Sequence, residues 1–330
     1  MARAAGRPQQ VAAQFPSLVA GGGYESYYLR AVDPASGRAV WLRHTFHCSG
    51  DGASAVGSIW LTLFGDDGGV LATKQSTSDI SPEPPGGWVR VGDSVFGPDD
   101  IEGHCDGARW SLTWRARDRP LRHLPTELLY RLPLPKTKPE SPMPFVHVTG
   151  EVTIDGTTFV LDGWPGMVGH NWGTQHAERW IWLHGVGFAE RDDAWLDLLV
   201  GRVRVGSKVL PWVAMGTLSL GGRRTRLGGL GRRPEVIATP NDLALSVRGA
   251  AGSELTLRAQ SPLDQIVVWR YADPDGSEHH VANCSACSLE LEFRGRRGYQ
   301  LSLTTTYGGT YELGMRETDH GLAVQPFSDP

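Results

Sequence analysis

The sequence predicts an all-β protein, and three observations carry that expectation. Apolar and aromatic residues recur with a period of two in short runs, as in Arg109–Arg115, where Trp110, Leu112 and Trp114 share one strand face. The runs are separated by turn residues, and the 330-residue chain holds 42 glycines and 22 prolines, more than helical architecture tolerates. Asp155-Gly156 lies between two β-rich runs, the pairing that the tightest hairpin turns demand.

In chain order, the first twenty or so residues read as loosely attached. They contain no apolar run of the kind that marks a secretory signal. A hairpin follows, Glu25–Val32 and Arg38–Cys48, turned by Asp33-Pro34 and Gly37. Further strands are expected at Val56–Phe64, Gly69–Thr73, Trp88–Val91, Ser94–Phe96, Arg109–Arg115, Phe145–Ile154 and Thr157–Leu161. Between them, Leu121–Pro144 is rich in proline and reads as a strap across the surface, with one short helical segment at Thr126–Leu132. Beyond the centre, strands are expected at Ala194–Val205, Trp212–Leu220, Leu243–Arg248, Glu254–Ala259, Gln265–Tyr271, Cys287–Arg294, Tyr299–Tyr307 and Thr310–Met315. In Cys287–Phe293 the odd positions are apolar and the even ones polar, which marks a half-exposed strand. The arginine- and glycine-rich segment Gly221–Arg233 reads as a solvated hairpin tip, with a clamp for an anionic group as the alternative. Regular short strands with glycine-rich turns build barrels or sandwiches, and a barrel of about eight strands can enclose one small ligand.

Composition removes several classes of function. A formal charge of −4 gives no reason to expect nucleic acid or an anionic membrane as partner. No stretch approaches ~18 consecutive apolar residues, so integral membrane association is not expected and a cytoplasmic location is. Cys48, Cys105, Cys284 and Cys287 are expected as free thiols. Cys284 and Cys287 form a C-x-x-C without a second pair, which supports neither zinc nor redox chemistry. There is no G-x-S-x-G, no P-loop and no dinucleotide fingerprint, and hence no support for hydrolase, NTPase or dinucleotide enzymes.

The chemistry concentrates in Gly169–Gly185, GHNWGTQHAERWIWLHG. Read as one strand, it places His176, Glu178, Trp180, Trp182 and His184 on a single face, with Ala177, Arg179, Ile181 and Leu183 opposite. Imidazoles, a carboxylate and indoles on one face suit the wall of an apolar pocket with a few convergent polar groups. A metal reading of His176, Glu178 and His184 fails on distance, since residues eight apart on a strand lie ~26 Å from each other. No metal and no cofactor are expected.

Four segments together resemble one family: ESYYLRAVDP with GRAVWLRHT, LYRLPLPKTKPESP, VTIDGTTFVLDGWPG and GHNWGTQHAERWIWLHG. The family is that of hydroxyneurosporene synthase (carotenoid 1,2-hydratase) and its lipocalin-like relatives, among them AttH-type proteins and some fungal Diels–Alderases. The match covers roughly the first two-thirds of the chain, and His-Asn-Trp-Gly is its most specific block. It implies two tandem lipocalin-like (calycin) antiparallel barrels, over residues 1–172, with the strap at 121–144, and 173–330. It also implies pocket roles for His170, Asn171 and Trp172. In the hydratases an aspartate before the His-Asn pair is the proton donor; here Gly169 holds that position.

A carboxyl in apolar surroundings stays protonated near neutrality, and indole faces stabilise a developing carbocation. Glu178, beside Trp180 and His176, is therefore the expected substitute acid, with an arginine salt bridge as its structural alternative. His176 and His170 are expected to assist it, and Asn171, Trp172, Trp180, Trp182 and His184 to bind substrate. The function expected is a cofactor-independent enzyme that cyclises, isomerises or hydrates a hydrophobic terpenoid or polyketide, by acid or pericyclic assistance. The alternative is a non-catalytic carrier of a lipid or pigment.

Overall fold

The computed structural model describes residues 11, 13–18, 21–51, 55–66 and 69–328. The first sheet takes β1 (Gly23–Val32), β2 (Ala39–Cys48), β3 (Val56–Asp66), β4 (Gly69–Thr77), β5 (Ile80–Pro82), β6 (Val89–Val91), β7 (Ser94–Phe96), β8 (Asp100–Cys105), β9 (Ala108–Ala116), β10 (Leu121–Arg122), β11 (Thr137–Ile154) and β12 (Thr157–Gly173). Their order is β4-β3-β2-β1-β12-β11-β9-β8-β7-β6-β5, with β10 on β11. The sheet curls until its ends meet: a side chain on Gly57 of β3 would strike Ile80 of β5 and Val91 of β6.

The second sheet takes β13 (Arg179–Gly185) and β14 (Trp195–Arg202), after which β15 (Arg204–Val205) and β16 (Lys208–Val209) form a separate small hairpin. It continues with β17 (Val213–Leu220), β18 (Arg223–Gly228), β19 (Glu235–Ala238), β20 (Asp242–Arg248), β21 (Glu254–Gln260), β22 (Val267–Ala272), β23 (Glu278–Arg294) and β24 (Gln300–Met315). The order is β18-β17-β14-β13-β24-β23-β21-β20-β19, with β22 on β23. A bridge from Leu227 to Gly249 ties its two ends together. The fold is thus all-β, two lipocalin-like antiparallel barrels in tandem. Among the described residues, no helix is long and apolar enough to cross a membrane.

Apolar burial forms three cores. One fills the first barrel with Tyr27, Leu29, Leu61 and Val148 among others, and one fills the second with Ile181, Leu183, Leu257 and Leu313. The third lies between the barrels, where Trp41 and Trp60 meet Trp195, Trp269 and Tyr271. Arg30 pins the same seam: its guanidinium donates to the carbonyls of Ser285 at 2.7 Å and Gly309 at 3.0 Å.

Several local expectations hold. Asp155 and Gly156 both take positive φ, 47° and 84°, at the β11–β12 turn. Trp110, Leu112 and Trp114 are buried on β9, and Cys287, Leu289, Leu291 and Phe293 on β23. All four cysteines are buried, and among the described residues none is in a disulfide.

Others are corrected. The helix shrinks to one turn, α2 (Leu128–Arg131), because Pro133 and Pro135 follow at once. The second half of the strap is strand after all: β11 begins at Thr137, pairs Pro139 with Asn171, and absorbs Pro142 and Pro144 through register shifts against β12. Gly221–Arg223 is an exposed hairpin tip as expected, but Arg224 and Arg226 behind it have a further role. They donate to the carbonyls of Pro120 at 2.9 Å and Arg122 at 3.2 Å and so fasten the start of the strap. Of the opening residues expected to be loose, 13–18 are described and carry a turn of helix, α1 (Phe15–Leu18), with Phe15 buried against Phe46; residues 1–10, 12, 19 and 20 lie outside the described residues. The GHNWG block is the end of β12, with His170 opposite Tyr27 on one side and Glu140 on the other. The central stretch is therefore two strands, β12 and β13, parted at residues 174–178.

Candidate functional site

Period-two alternation on β1 sends Tyr27, Leu29 and Ala31 into the first barrel and leaves Tyr24, Tyr28 and Arg30 on its outer face. On β13, Ile181 and Leu183 enter the second core while Trp180 and Trp182 face out; on β24, Tyr311 and Leu313 go in and Glu312 faces out. The two outer faces confront each other and the strap crosses above them. A cavity of about 430 Å³ results, at the seam between the barrels rather than within either. Its walls carry Tyr24, Tyr28, Trp41 and Arg43 from the first barrel, and Trp180, Trp182, Met215, Tyr271 and Glu312 from the second. Leu124, Leu129, Leu134 and Pro135 of the strap complete the enclosure.

Two glycines make this wall possible by close approach. A Cβ at Gly314 would lie 2.1 Å from the Trp180 indole, so the absent side chain is what lets that ring lie across β24. A Cβ at Gly169 would lie 2.1 Å from the Tyr28 ring, its partner across β1 and β12. The phenol of Tyr28 thus fills the space that an acidic side chain at position 169 would need. Burial pushes the Tyr24 and Tyr28 hydroxyls well above the ordinary tyrosine range, so both remain protonated donors.

Glu312 is the buried acid of the cavity. Its Oε1 accepts from the Trp180 indole at 2.9 Å and its Oε2 from the Asn283 amide at 3.1 Å. Burial raises its pKa above the ordinary glutamate value, and this outweighs the opposing hydrogen bonds and the charge of Arg43. Across the cavity wall, His176 stacks on Tyr24 at 4.0 Å and on Trp180 at 5.3 Å. Its Nδ1 lies 2.8 Å from Asp273 Oδ1, which also accepts the His176 backbone N–H at 2.7 Å. Burial alone would raise Asp273, but the hydrogen bond and charge of His176 prevail and hold it low. With Nδ1 against a carboxylate, the other ring nitrogen is the one left for a ligand.

The expected acid is corrected. Glu178 precedes β13 and does not line the cavity. Its carboxylate is gripped by Arg204, and by Arg316 Nε at 3.1 Å, and the Arg204 hydrogen bond lowers its pKa despite partial burial. The salt-bridge alternative is what the chain adopts. His170 is corrected too. It is buried inside the first barrel, with Nε2 2.8 Å from Glu25 and Nδ1 3.0 Å from Glu140. Burial alone would lower its pKa, yet the hydrogen bonds it makes to Glu140 and Glu25 raise it. Glu25 also accepts the backbone N–H groups of Gln14 and Phe15 at 2.9 and 2.6 Å, so His170 belongs to the bracket that seats the N-terminal segment.

Of the residues expected to bind substrate, Asn171, Trp180 and Trp182 line the cavity. Trp172 is buried against His170 instead, and His184 is closed off between Arg30 and the Pro144 carbonyl. Sequence reasoning missed Glu312, Arg43, Tyr24, Tyr28 and Asp273. Tyr28 faces away from the first barrel's interior and into the cavity.

Two further clusters bear on chemistry. His176, Asp273 and His279 hold nitrogen and carboxylate atoms within 4.8 Å of one another. Arg316 stands 3.7 Å from Asp273 Oδ2, so a cation there would compete with a guanidinium. Ser141, His123 and Asp197 look like a nucleophilic triad by composition. However, His123 Nε2 faces both Ser141 Oγ at 3.2 Å and Asp197 at 3.4 Å, and all three are buried. The arrangement locks the strap to the second barrel and presents no nucleophile.

No family model matches the chain. Uncharacterized proteins of two Mycobacterium tuberculosis strains are 24% identical over 307 residues, covering 91% of this chain and 88% of theirs. Among solved structures, CghA with Sch210972 superposes with a TM-score of 0.65 at 14% identity over 89% of both chains. Kievitone hydratase from Nectria haematococca gives 0.52 at 10% identity, covering 90% of this chain and 89% of its own. A putative AttH from Nitrosomonas europaea gives 0.51 at 14%, covering 95% and 97%. The chain has the tandem lipocalin-like barrel fold of these proteins.

Proposed function

We propose that the protein is a cofactor-independent enzyme that binds a hydrophobic terpenoid or polyketide in the inter-barrel cavity and isomerises, cyclises or hydrates it. The observation that carries this reading is Glu312, a carboxyl buried in an aromatic wall and hydrogen-bonded by Trp180 and Asn283. Glu312 donates its proton to an alkene or carbonyl of the substrate. The faces of Trp180, Trp182 and Trp41 stabilise the positive charge that develops. His176, oriented by Asp273, accepts a proton from the substrate, or from water in a hydration. Glu312 is left as carboxylate and His176 as imidazolium, and exchange with solvent restores both. The fold is shared with a protein named as a hydratase and with one crystallised around a small molecule, which accords with this reading.

The test is incubation of the purified protein with a panel of linear isoprenoids and polyketides, with products separated by chromatography and mass spectrometry. Turnover of at least one compound is expected, and its loss in Glu312→Gln and His176→Phe. A protein that binds panel members tightly yet converts none is a carrier, and the catalytic reading then falls.

A further inference from the structure

Arg43 sits in the cavity wall with 5% of its surface exposed. Of its five N–H donors, the one on Nε goes to Ser26 Oγ at 2.6 Å. Nη1 is buried without a hydrogen-bond partner among the described residues. No carboxylate among the described residues lies within ion-pair distance of it. The guanidinium is surrounded instead by ring faces: Tyr271 at 4.1 Å, Trp60 at 5.3 Å and Trp41 at 5.9 Å.

Arg30 supplies the contrast. It is fully buried on the neighbouring strand, and its donors are taken up by the Ser285 and Gly309 carbonyls and by His184. As a structural pin, Arg30 has a hydrogen-bond partner for each guanidinium nitrogen. A desolvated cation with unused donors is costly unless an anion arrives to pair with it. The one acid across the cavity, Glu312, already accepts from Trp180 and Asn283 and does not reach Arg43. Cation–π contact holds the guanidinium in place but leaves its in-plane N–H groups unspent.

We propose that Arg43 is the anchor for an anionic oxygen on an otherwise apolar ligand, a carboxylate or the enolate of a β-dicarbonyl. This rests on the cavity being the ligand site, as read above, and names the chemical class of that ligand. The apolar body then lies along Trp180, Trp182 and the strap leucines, with its acidic end at β2.

The experiment titrates the protein at pH 8 with dodecanoate and with dodecan-1-ol, following quenching of tryptophan fluorescence. The expected result is dodecanoate binding at least ~10-fold tighter than the alcohol. Arg43→Gln removes the preference, and Arg43→Lys, which keeps the charge, retains part of it. Equal affinity for the two probes in the wild type overturns the anchor but leaves the cavity reading intact. An undiminished carboxylate preference in Arg43→Gln overturns it as well. Should Arg43→Gln not fold, Arg43→Lys decides by the size of its preference, since a point charge cannot reproduce the planar donor pair and a full preference would refute the assignment. Failure of both probes to bind sinks the anchor and the cavity together.

Discussion

Replacing Glu312 with glutamine removes the transferable proton and almost nothing else. The carboxyl accepts from Trp180 on one oxygen and from Asn283 on the other. A glutamine keeps the first bond through its carbonyl but turns an NH2 group toward the Asn283 NH2, so one hydrogen bond is lost, costing about 1 kcal/mol. Against that, glutamine cannot ionise. Burial raises the Glu312 pKa, so between its unfolded and folded values the native state binds more protons than the unfolded one. Wild-type stability therefore falls as pH rises through that interval, and Glu312→Gln lacks the decline. Urea titrations at pH 5 and pH 8 should show the variant gaining on the wild type at the higher pH. Loss of a general acid lowers kcat by ~10²–10⁴-fold, or roughly 3–5 kcal/mol of barrier. Apolar ligand affinity should change little, because the wall keeps its shape. The wild-type pH–rate profile should fall on its alkaline side as Glu312 ionises. A drop in kcat of less than about fivefold would refute the assignment of Glu312 as proton donor. So would a stability difference that does not vary with pH.

Three more perturbations separate this geometry from its rivals. Glu178→Gln should leave turnover within about threefold, since the group is an arginine-held carboxylate outside the cavity rather than an acid; a large loss would restore the residue to the mechanism. Gly314→Ala places a Cβ 2.1 Å from the Trp180 ring and forces the indole toward the cavity. It should cost about 1–3 kcal/mol of stability, and calorimetry should show weakened apolar ligand binding. His170→Ala leaves Glu25 and Glu140 facing a void and should destabilise by roughly 3–5 kcal/mol. Because the His170 pKa is raised on folding, its contribution is complete below the unfolded histidine value and lost as pH climbs through the folded one. The penalty of His170→Ala, read from denaturant midpoints, should therefore shrink at high pH.

Much of the fold is legible because strand alternation and turn chemistry are local. Trp110, Leu112 and Trp114 declare a buried face wherever the strand sits, and Asp155-Gly156 specifies its hairpin without help from the rest of the chain. The strap is harder. Pro139, Pro142 and Pro144 argue against strand on their own, and only pairing with β12 through irregular register makes β11 run from Thr137. The break after β12 was hidden for the opposite reason. Residues 174–178 continue the alternation of β13 in sequence, so Glu178 seemed to share a face with Trp180, although the chain turns between the strands.

The location of the cavity is where local pattern runs out. Alternation assigns Trp180 and Trp182 to one face of β13 and Ile181 and Leu183 to the other, but both faces are apolar. A strand covered on both sides does not say which side is the barrel interior. The decision comes from β24, through register. Trp182 pairs with Glu312 and Trp180 with Gly314, so the acid and the one residue small enough to admit an indole fall opposite the two tryptophans. In sequence, Glu312 and Gly314 are two ordinary residues near the end of the chain, more than a hundred positions from the indoles they face. Their meaning depends on a pairing of high sequence separation, which no window of local pattern contains. A buried carboxyl becomes an acid here because two barrels, each with its own filled core, leave their outer aromatic faces to be covered by one another. The same seam holds Arg43 beyond ion-pair distance of the carboxylates among the described residues, so the acid, the imidazole and this cation have one common origin in the packing of barrel against barrel.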